Sequence, residues 1–218
     1  MKPRLLLSGL LVLAACGQSA GGQTSPAQGP GAAQRQAPDS GRRATALFAG
    51  GCFWTTEHDL EHVPGVVEAV SGFAGGTVAN PSYNQVVAGR TGHLESVRVT
   101  FDPARVSYGA LVRRFLRTID PTDEGGQACD RGGSYRTAIF ALNGAQRRDA
   151  QAALAEADRT LEGRVVTRLI DGGRFYPAEA HHQDYAARNP MRYQLYRRGC
   201  GRDARLRQVW GRAAAQAG

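Results

Sequence analysis

The chain has 218 residues, 42% hydrophobic and 21% charged, enough for one domain with a sizeable core once its flanks are set aside. Its formal charge of +8 comes from scattered basic residues, all Arg except Lys2, with pairs such as Arg113–Arg114 and Arg197–Arg198. No basic run is interleaved with aromatics, which excludes a nucleic-acid module and leaves solvated faces with some attraction to anionic envelope surfaces.

Residues 1–16, MKPRLLLSGLLVLAAC, carry Lys2 and Arg4 ahead of an apolar run from Leu5 to Ala15. That run is too short to span a bilayer and reads as an export signal. LAAC at 13–16 resembles a bacterial lipobox, so Cys16 is expected to be acylated and to anchor an exported protein in the cell envelope. Ordinary signal cleavage near the small residues is the alternative. Residues 17–43, rich in Gly, Ala, Gln, Ser and Pro, hold no large apolar residue and are expected to form a disordered tether.

The domain is expected over 44–200, with 201–218 as a tail whose Trp210 is its one candidate for docking. ATALFAG (44–50) reads as a buried strand stopped by glycine, and a helical pattern runs from Cys52 to Pro64–Gly65. Residues 66–76 read as a strand entering a Gly-rich loop. In HLESVRVTF (93–101), Glu95, Val97, Val99 and Phe101 share one face. Ser107 is positioned to cap a helix with Leu111, Val112, Phe115 and Leu116 on its buried stripe. A strand at 135–142, an Ala-rich helix at 143–163, a strand at 164–170 and a short helix around 179–188 follow. The β-α-β-β-α-β order predicts an α+β fold, a two-layer ferredoxin-like (split βαβ) sandwich with a loop-rich C-terminal segment.

Cys52 lies between two glycines and two aromatics in GGCFWTTE (50–57). A strand–Gly–Gly–helix junction offers unpaired amides and a helix dipole, which should lower the thiol pKa and produce a nucleophilic thiolate. Phe53 and Trp54 would supply an aromatic wall for a small apolar group such as a methyl. Glu95, on the apolar face of its strand, pays a desolvation cost that raises its pKa and suits it to donate a proton. Tyr83 and Tyr135 could add phenolic donors to the same pocket. Ordinary core packing is the competing role for each of these side chains.

AGGCFWTTE, GVVEAVSGFAGG, NPSYNQVVAGRTGHLESVRVTFDP, DPTD, YRTAIF and AEAHHQDY together resemble peptide methionine sulfoxide reductase of the A type over roughly 44–200. The resemblance implies a thiol reductase of the S epimer of methionine sulfoxide in proteins, with Cys52 attacking and Phe53 and Trp54 holding the substrate methyl. It implies that Glu95 protonates the sulfoxide oxygen, that Tyr83 and Tyr135 hydrogen-bond it, and that Asp130 joins the polar cluster. No bound cofactor or metal is expected. The attack leaves a sulfenic acid for a second thiol to condense with. The resemblance places that resolving cysteine near the C-terminus, which here means Cys200 in RRGCGRD, recycled by an extracytoplasmic thioredoxin-type reductant. A monomer is expected.

Two departures stand out: Ile119 precedes DPT where the family commonly has histidine, and GGQACDRGGSYR (125–136) puts Cys129 beside Asp130. If that loop is extended, Cys129 points away as a buried structural thiol and turnover does without it; the alternative makes it the resolving cysteine. Only one cysteine follows position 129, which excludes a relay between two C-terminal cysteines. Two other readings compete. One is a Cys–His acyl hydrolase using Cys52 with His93 or His182. The other is a zinc module built from Cys129, Cys200, His181 and His182, although no paired-cysteine spacing supports it.

Overall fold

The computed structural model describes residues 43–211, and the signal, Cys16, most of the tether and residues 212–218 lie outside them. Strand β1 (Ala44–Gly50) leads into helix α1 (Phe53–Glu61), and β2 (Val66–Ala74) pairs antiparallel with β3 (Leu94–Phe101). Between those strands sits the short α2 (Tyr83–Val87), opened by a capping box in which Ser82 and Gln85 satisfy each other's backbone N–H groups. Helix α3 (Tyr108–Arg117) starts where expected, with the Ser107 hydroxyl accepting from the Ala110 N–H at 3.2 Å. A two-residue hairpin, β4 (Gly126–Gln127) and β5 (Asp130–Arg131), follows. Next come β6 (Thr137–Ala141), α4 (Gly144–Thr160), β7 (Arg168–Asp171) and β8 (Phe175–Pro177). The described chain closes with α5 (Tyr185–Arg188), α6 (Pro190–Gly199) and α7 (Arg202–Trp210).

The main sheet has the order β7-β6-β1-β3-β2-β8, antiparallel throughout except for β6 beside β7. The fold is mixed α/β. Strand alternation divides the core between the two faces of the sheet. Ala46, Phe48, Val97, Val99 and Phe101 pack with Leu60, Leu111, Phe115 and Ala153 of the helices, while Leu47, Ala49, Leu94 and Phe140 form a smaller cluster with Ile170 and Phe175.

Several boundaries move from those read in the sequence. The expected strand at 135–142 begins at Thr137, because Gly133–Tyr135 is a 3-10 turn, and the strand expected at 164–170 forms at Arg168–Asp171. The region beyond Pro190 is helical rather than loop-rich. Leu206 and Trp210 of α7 join the main core, and polar anchors hold the rest. Arg197 bonds Asp59 of α1 at 2.6 Å, Arg205 bonds Asp120 at 2.6 Å, and the Trp210 indole donates to the Ile119 carbonyl at 2.9 Å. Trp210 therefore docks, and the buried Ile119 is its seat.

Glu57 ties α1 to two distant segments. Its carboxylate accepts from the Ser71 N–H at 3.3 Å on β2 and from the Asp184 N–H at 3.1 Å. Gln183 extends the same joint, bonding the Ser71 N–H and carbonyl at 2.9 Å each. Burial, followed by the nearby Asp184 carboxylate, pushes Glu57 from an ordinary 4.5 up to about 7. Because the folded value is raised, protonation favours the native state, and the stability tied to this group falls as pH rises from about 4.5 to about 7. Urea midpoints across that window should decline less steeply in Glu57→Gln than in the parent, whatever constant offset the lost acceptor causes. Parallel slopes would show that Glu57 does not titrate there.

Candidate active site

Gly50 and Gly51 make the turn that delivers Cys52. Gly51 has φ +83°, and a Cβ there would meet the Gln127 side chain at 2.5 Å, so the hairpin stem seats directly on the glycine. Gln127 is itself fixed, donating to the Asp120 carbonyl at 2.7 Å and accepting from the Asp120 N–H at 2.8 Å. Beneath the turn the buried guanidinium of Arg202 donates to the carbonyls of Gly50 at 3.2 Å and Thr118 at 2.8 Å. Cys52 is the N-cap of α1, its carbonyl receiving the Thr55 N–H at 3.2 Å and the Thr55 hydroxyl at 2.8 Å.

The Cys52 side chain is buried, with 6% relative exposure. The local expectation of a lowered pKa is overturned: burial foremost, then the Glu95 carboxylate, pushes the thiol up. The Tyr196 phenol opposes that shift by hydrogen-bonding the sulfur. A helix N-terminus favours an anion only where water or neighbours do not cost more, and here desolvation wins.

Glu95 lies where alternation put it, buried on β3 opposite Phe73. Its carboxylate accepts the Phe53 N–H, the first amide of α1, at 3.0 Å. Burial raises it to about 8 against the bond from Phe53, the Asp130 carboxylate adding to the rise and the Tyr135 phenol opposing it. Tyr83 opens α2, its N–H donating to Glu179 at 3.0 Å, and its phenol lies against that of Tyr135. Both phenols are raised, first by burial and then by Glu95. Asp130 is half-buried and raised by burial, and its carboxylate accepts the Tyr196 hydroxyl. Cys52, Glu95, Tyr83, Tyr135 and Asp130 thus form one cluster.

Phe53 and Trp54 divide the aromatic work. The Phe53 ring is in the core, 5.8 Å from Phe73 and 6.1 Å from Tyr83. Trp54 is partly exposed, stacked on Tyr185 at 3.7 Å, edge-on to Tyr196 at 6.1 Å, and bonded from its indole N–H to His182 Nδ1 at 3.2 Å. Sequence reasoning missed Tyr196 and Arg202, since nothing in the polar run after Pro190 marks residues that fold back onto Cys52, and it quoted Tyr185 only within AEAHHQDY, without a role. The capping-box Ser82 just before Tyr83 was the only local signal for α2.

The cysteine pairing departs from expectation. Cys129 is not a buried thiol; it is exposed and bonded to Cys200, leaving Cys52 as the free cysteine among the described residues. The physical reason is the turn. The loop is a tight hairpin with Ala128 at φ +52°, and it directs Cys129 toward the end of α6. The C-terminal segment is likewise pinned rather than a glycine-rich tail free to swing. The hydrolase reading loses its base, because His93 Nε2 contacts the Val78 carbonyl at 2.8 Å and Nδ1 accepts from Gly76 at 3.1 Å, while His182 serves Trp54. The zinc reading loses its ligands, since Cys129 and Cys200 are bonded to each other.

Comparison with known proteins places the whole folded region in one family. The family model described as peptide methionine sulfoxide reductase matches residues 44–214. The chain is 49% identical to peptide methionine sulfoxide reductase MsrA 2 of Caulobacter vibrioides, over 93% of this chain and 98% of that protein. It is 52% identical to MsrA 2 of Rhizobium meliloti, over 76% and 83%. Among solved structures, methionine sulfoxide reductase A of Corynebacterium diphtheriae superposes with a TM-score of 0.66 at 32% identity, covering 71% of this chain and 78% of that one. Reduced Mxr1 of Saccharomyces cerevisiae does so at 0.65 and 28%, covering 72% and 91%. With a buried cysteine, acid and paired phenols assembled inside the matched region, the chain belongs to the peptide methionine sulfoxide reductase family.

Proposed function

We propose that the protein is a peptide-methionine (S)-S-oxide reductase that repairs oxidised methionine in proteins of the cell envelope. The observation that carries this reading is the convergence of one free thiol, one buried acid and two phenols beside an aromatic wall. The order β6-β1-β3-β2, with α1 and α3 as crossovers, supports reading the frame as a split βαβ core extended by β7 and β8.

The substrate methyl rests against Trp54 and the edge of Phe53, and its sulfoxide oxygen accepts from Tyr83 and Tyr135. Cys52 sulfur attacks the sulfoxide sulfur as Glu95 delivers a proton to the oxygen; Glu95 regains a proton from the Cys52 thiol. The bond this forms between the two sulfurs breaks as the protonated oxygen passes to Cys52, which becomes a sulfenic acid, and methionine leaves reduced. The sulfenic acid condenses with the Cys200 thiol, expelling water and forming a disulfide. A thioredoxin-type dithiol supplies the two electrons that restore the thiols. Neither a prosthetic group nor a metal takes part in these steps.

Resolved sulfoxide epimers with dithiothreitol as electron source test the activity, with methionine expected from the S epimer and none from the R epimer. Glu95→Gln keeps the shape without the proton, so turnover should fall by about 10²–10⁴-fold while substrate binding changes much less. Because Glu95 must be protonated to act, the parental rate should decline as pH rises through about 8, and the variant's residual rate should lack that limb. An unchanged rate would remove Glu95 from the mechanism.

The export signal and Cys16 support a lipid-anchored envelope location. The wild-type protein should partition with membranes and carry acyl chains. Cys16→Ser should abolish lipidation while leaving sulfoxide reduction intact. Wild-type protein wholly soluble and unlipidated after export would reject the anchor.

A further inference from the structure

The far end of α1 carries a second group of side chains that the sulfoxide chemistry does not use. In HDLEH (58–62), His58, Glu61 and His62 are spaced i, i+3, i+4 and share one helix face. One nitrogen from each ring and a Glu61 carboxylate oxygen all lie within 4.8 Å of one another. His58 Nδ1 stands 3.4 Å from Glu61 Oε1. Two ligands of a tetrahedral ion with bonds of about 2.1 Å are separated by about 3.4 Å, so this pair already has the spacing of a shared metal. His58 Nδ1 is also buried with no hydrogen-bond partner among the described residues. A buried ring nitrogen left unsatisfied is costly, and a ligand that takes its lone pair removes the cost. His62, at the C-cap, has its side chain 64% exposed. Its Nδ1–H donates to the His58 carbonyl at 2.6 Å, which leaves Nε2 as the basic nitrogen, and its exposure lets the ring turn without displacing the helix. Tyr193 braces the His58 ring edge-on at 5.0 Å. The Arg197 guanidinium bonded to the Tyr193 hydroxyl is matched by Asp59 and Asp203, and the C-terminal end of a helix favours a cation.

We propose that His58, Glu61 and His62 bind one divalent first-row transition-metal ion, of the zinc, nickel and copper class, at the C-terminal end of α1. Two imidazoles and a carboxylate suit that class, whereas calcium and magnesium ask for a shell of oxygens. Three protein ligands leave the remaining position of a tetrahedral ion to water. None of these residues belongs to the zinc module considered from the sequence. Along the helix axis His58 lies about 9 Å beyond Cys52 and His62 about 15 Å, so the ion touches no reacting atom. The site stands independently of the reductase reading, and sulfoxide reduction does not require it. Its effect is structural. The ion clasps the last turn of α1, the turn that presents Asp59 to Arg197 and so seats α6.

Calorimetric titration of untagged, chelator-treated protein with zinc chloride tests the site. The Cys129–Cys200 bond is kept intact and Cys52→Ser is used as the background, so that no thiol contributes. One saturable equivalent of zinc is expected. His62→Ala removes an exposed ring and spares the core, and it should weaken binding by about tenfold or more, since even a group behind a ligand is worth that much. Glu61→Gln should weaken it as well. Zinc should raise the thermal midpoint of the parent and leave that of His62→Ala unmoved, because an ion bound only by the native state stabilises it. Substoichiometric copper(II) should broaden amide NMR signals around residues 58–63. Uptake that does not saturate, or zinc affinity unchanged in His62→Ala, overturns the site. Broadening centred on His181 and His182, or calcium bound as tightly as zinc, overturns it equally.

Discussion

The bond from the Phe53 N–H to the Glu95 carboxylate is the contact on which the site depends. It joins the first amide of a helix to a central strand across 42 positions, and it does so in the core. An unpaired acid at that depth would be costly, and an unpaired helix amide would be costly too. Satisfying both at once fixes where α1 begins, and hence where Cys52 sits relative to β3. The same desolvation that makes the contact necessary raises the carboxyl toward neutrality and discourages the thiol from ionising. Two negative charges so close in a dry site oppose each other, so thiol and carboxyl are poised to pass a proton rather than to hold two anions.

The remainder of the site is assembled from the far end of the chain. Trp54 gains its shape only when Tyr185, His182 and Tyr196 close around it. Glu57 and Gln183 are the joint that holds this wrap in place. A single helix start therefore organises contacts with segments more than a hundred residues away, and those segments bring little apolar surface of their own. Their attachment is made of aromatic stacking and satisfied charge rather than of a second core.

The sequence was most legible where a side chain's surroundings follow from its own neighbours. Glu95 betrayed its burial through strict alternation with Val97 and Val99, and Ser107 announced a helix through its spacing to the apolar stripe. The Gly50–Gly51 pair marked the turn. It was least legible where the deciding neighbour is remote. The Cys52 thiol is raised by burial and by a carboxylate 43 positions on, and neither can be seen from the helix it caps. Cys129 was misjudged because alanine is an uncommon occupant of the left-handed turn position that its hairpin requires. Helices α6 and α7 escaped because their anchors, Arg197 to Asp59 and Arg205 to Asp120, leave no periodic signature.

Arg202 and Trp210 have a consequence beyond holding α7 down. They fasten the chain just after Cys200, while Arg197 fastens it just before. Opening the Cys129–Cys200 bond therefore frees a few residues between two moorings rather than an entire terminus. A thiol confined to so small a volume meets its target at an effective concentration far above that of the same thiol on a loose tail. On the proposed mechanism, the sulfenic acid on Cys52 would then be captured before a second oxidant could carry it to the irreversible sulfinic state.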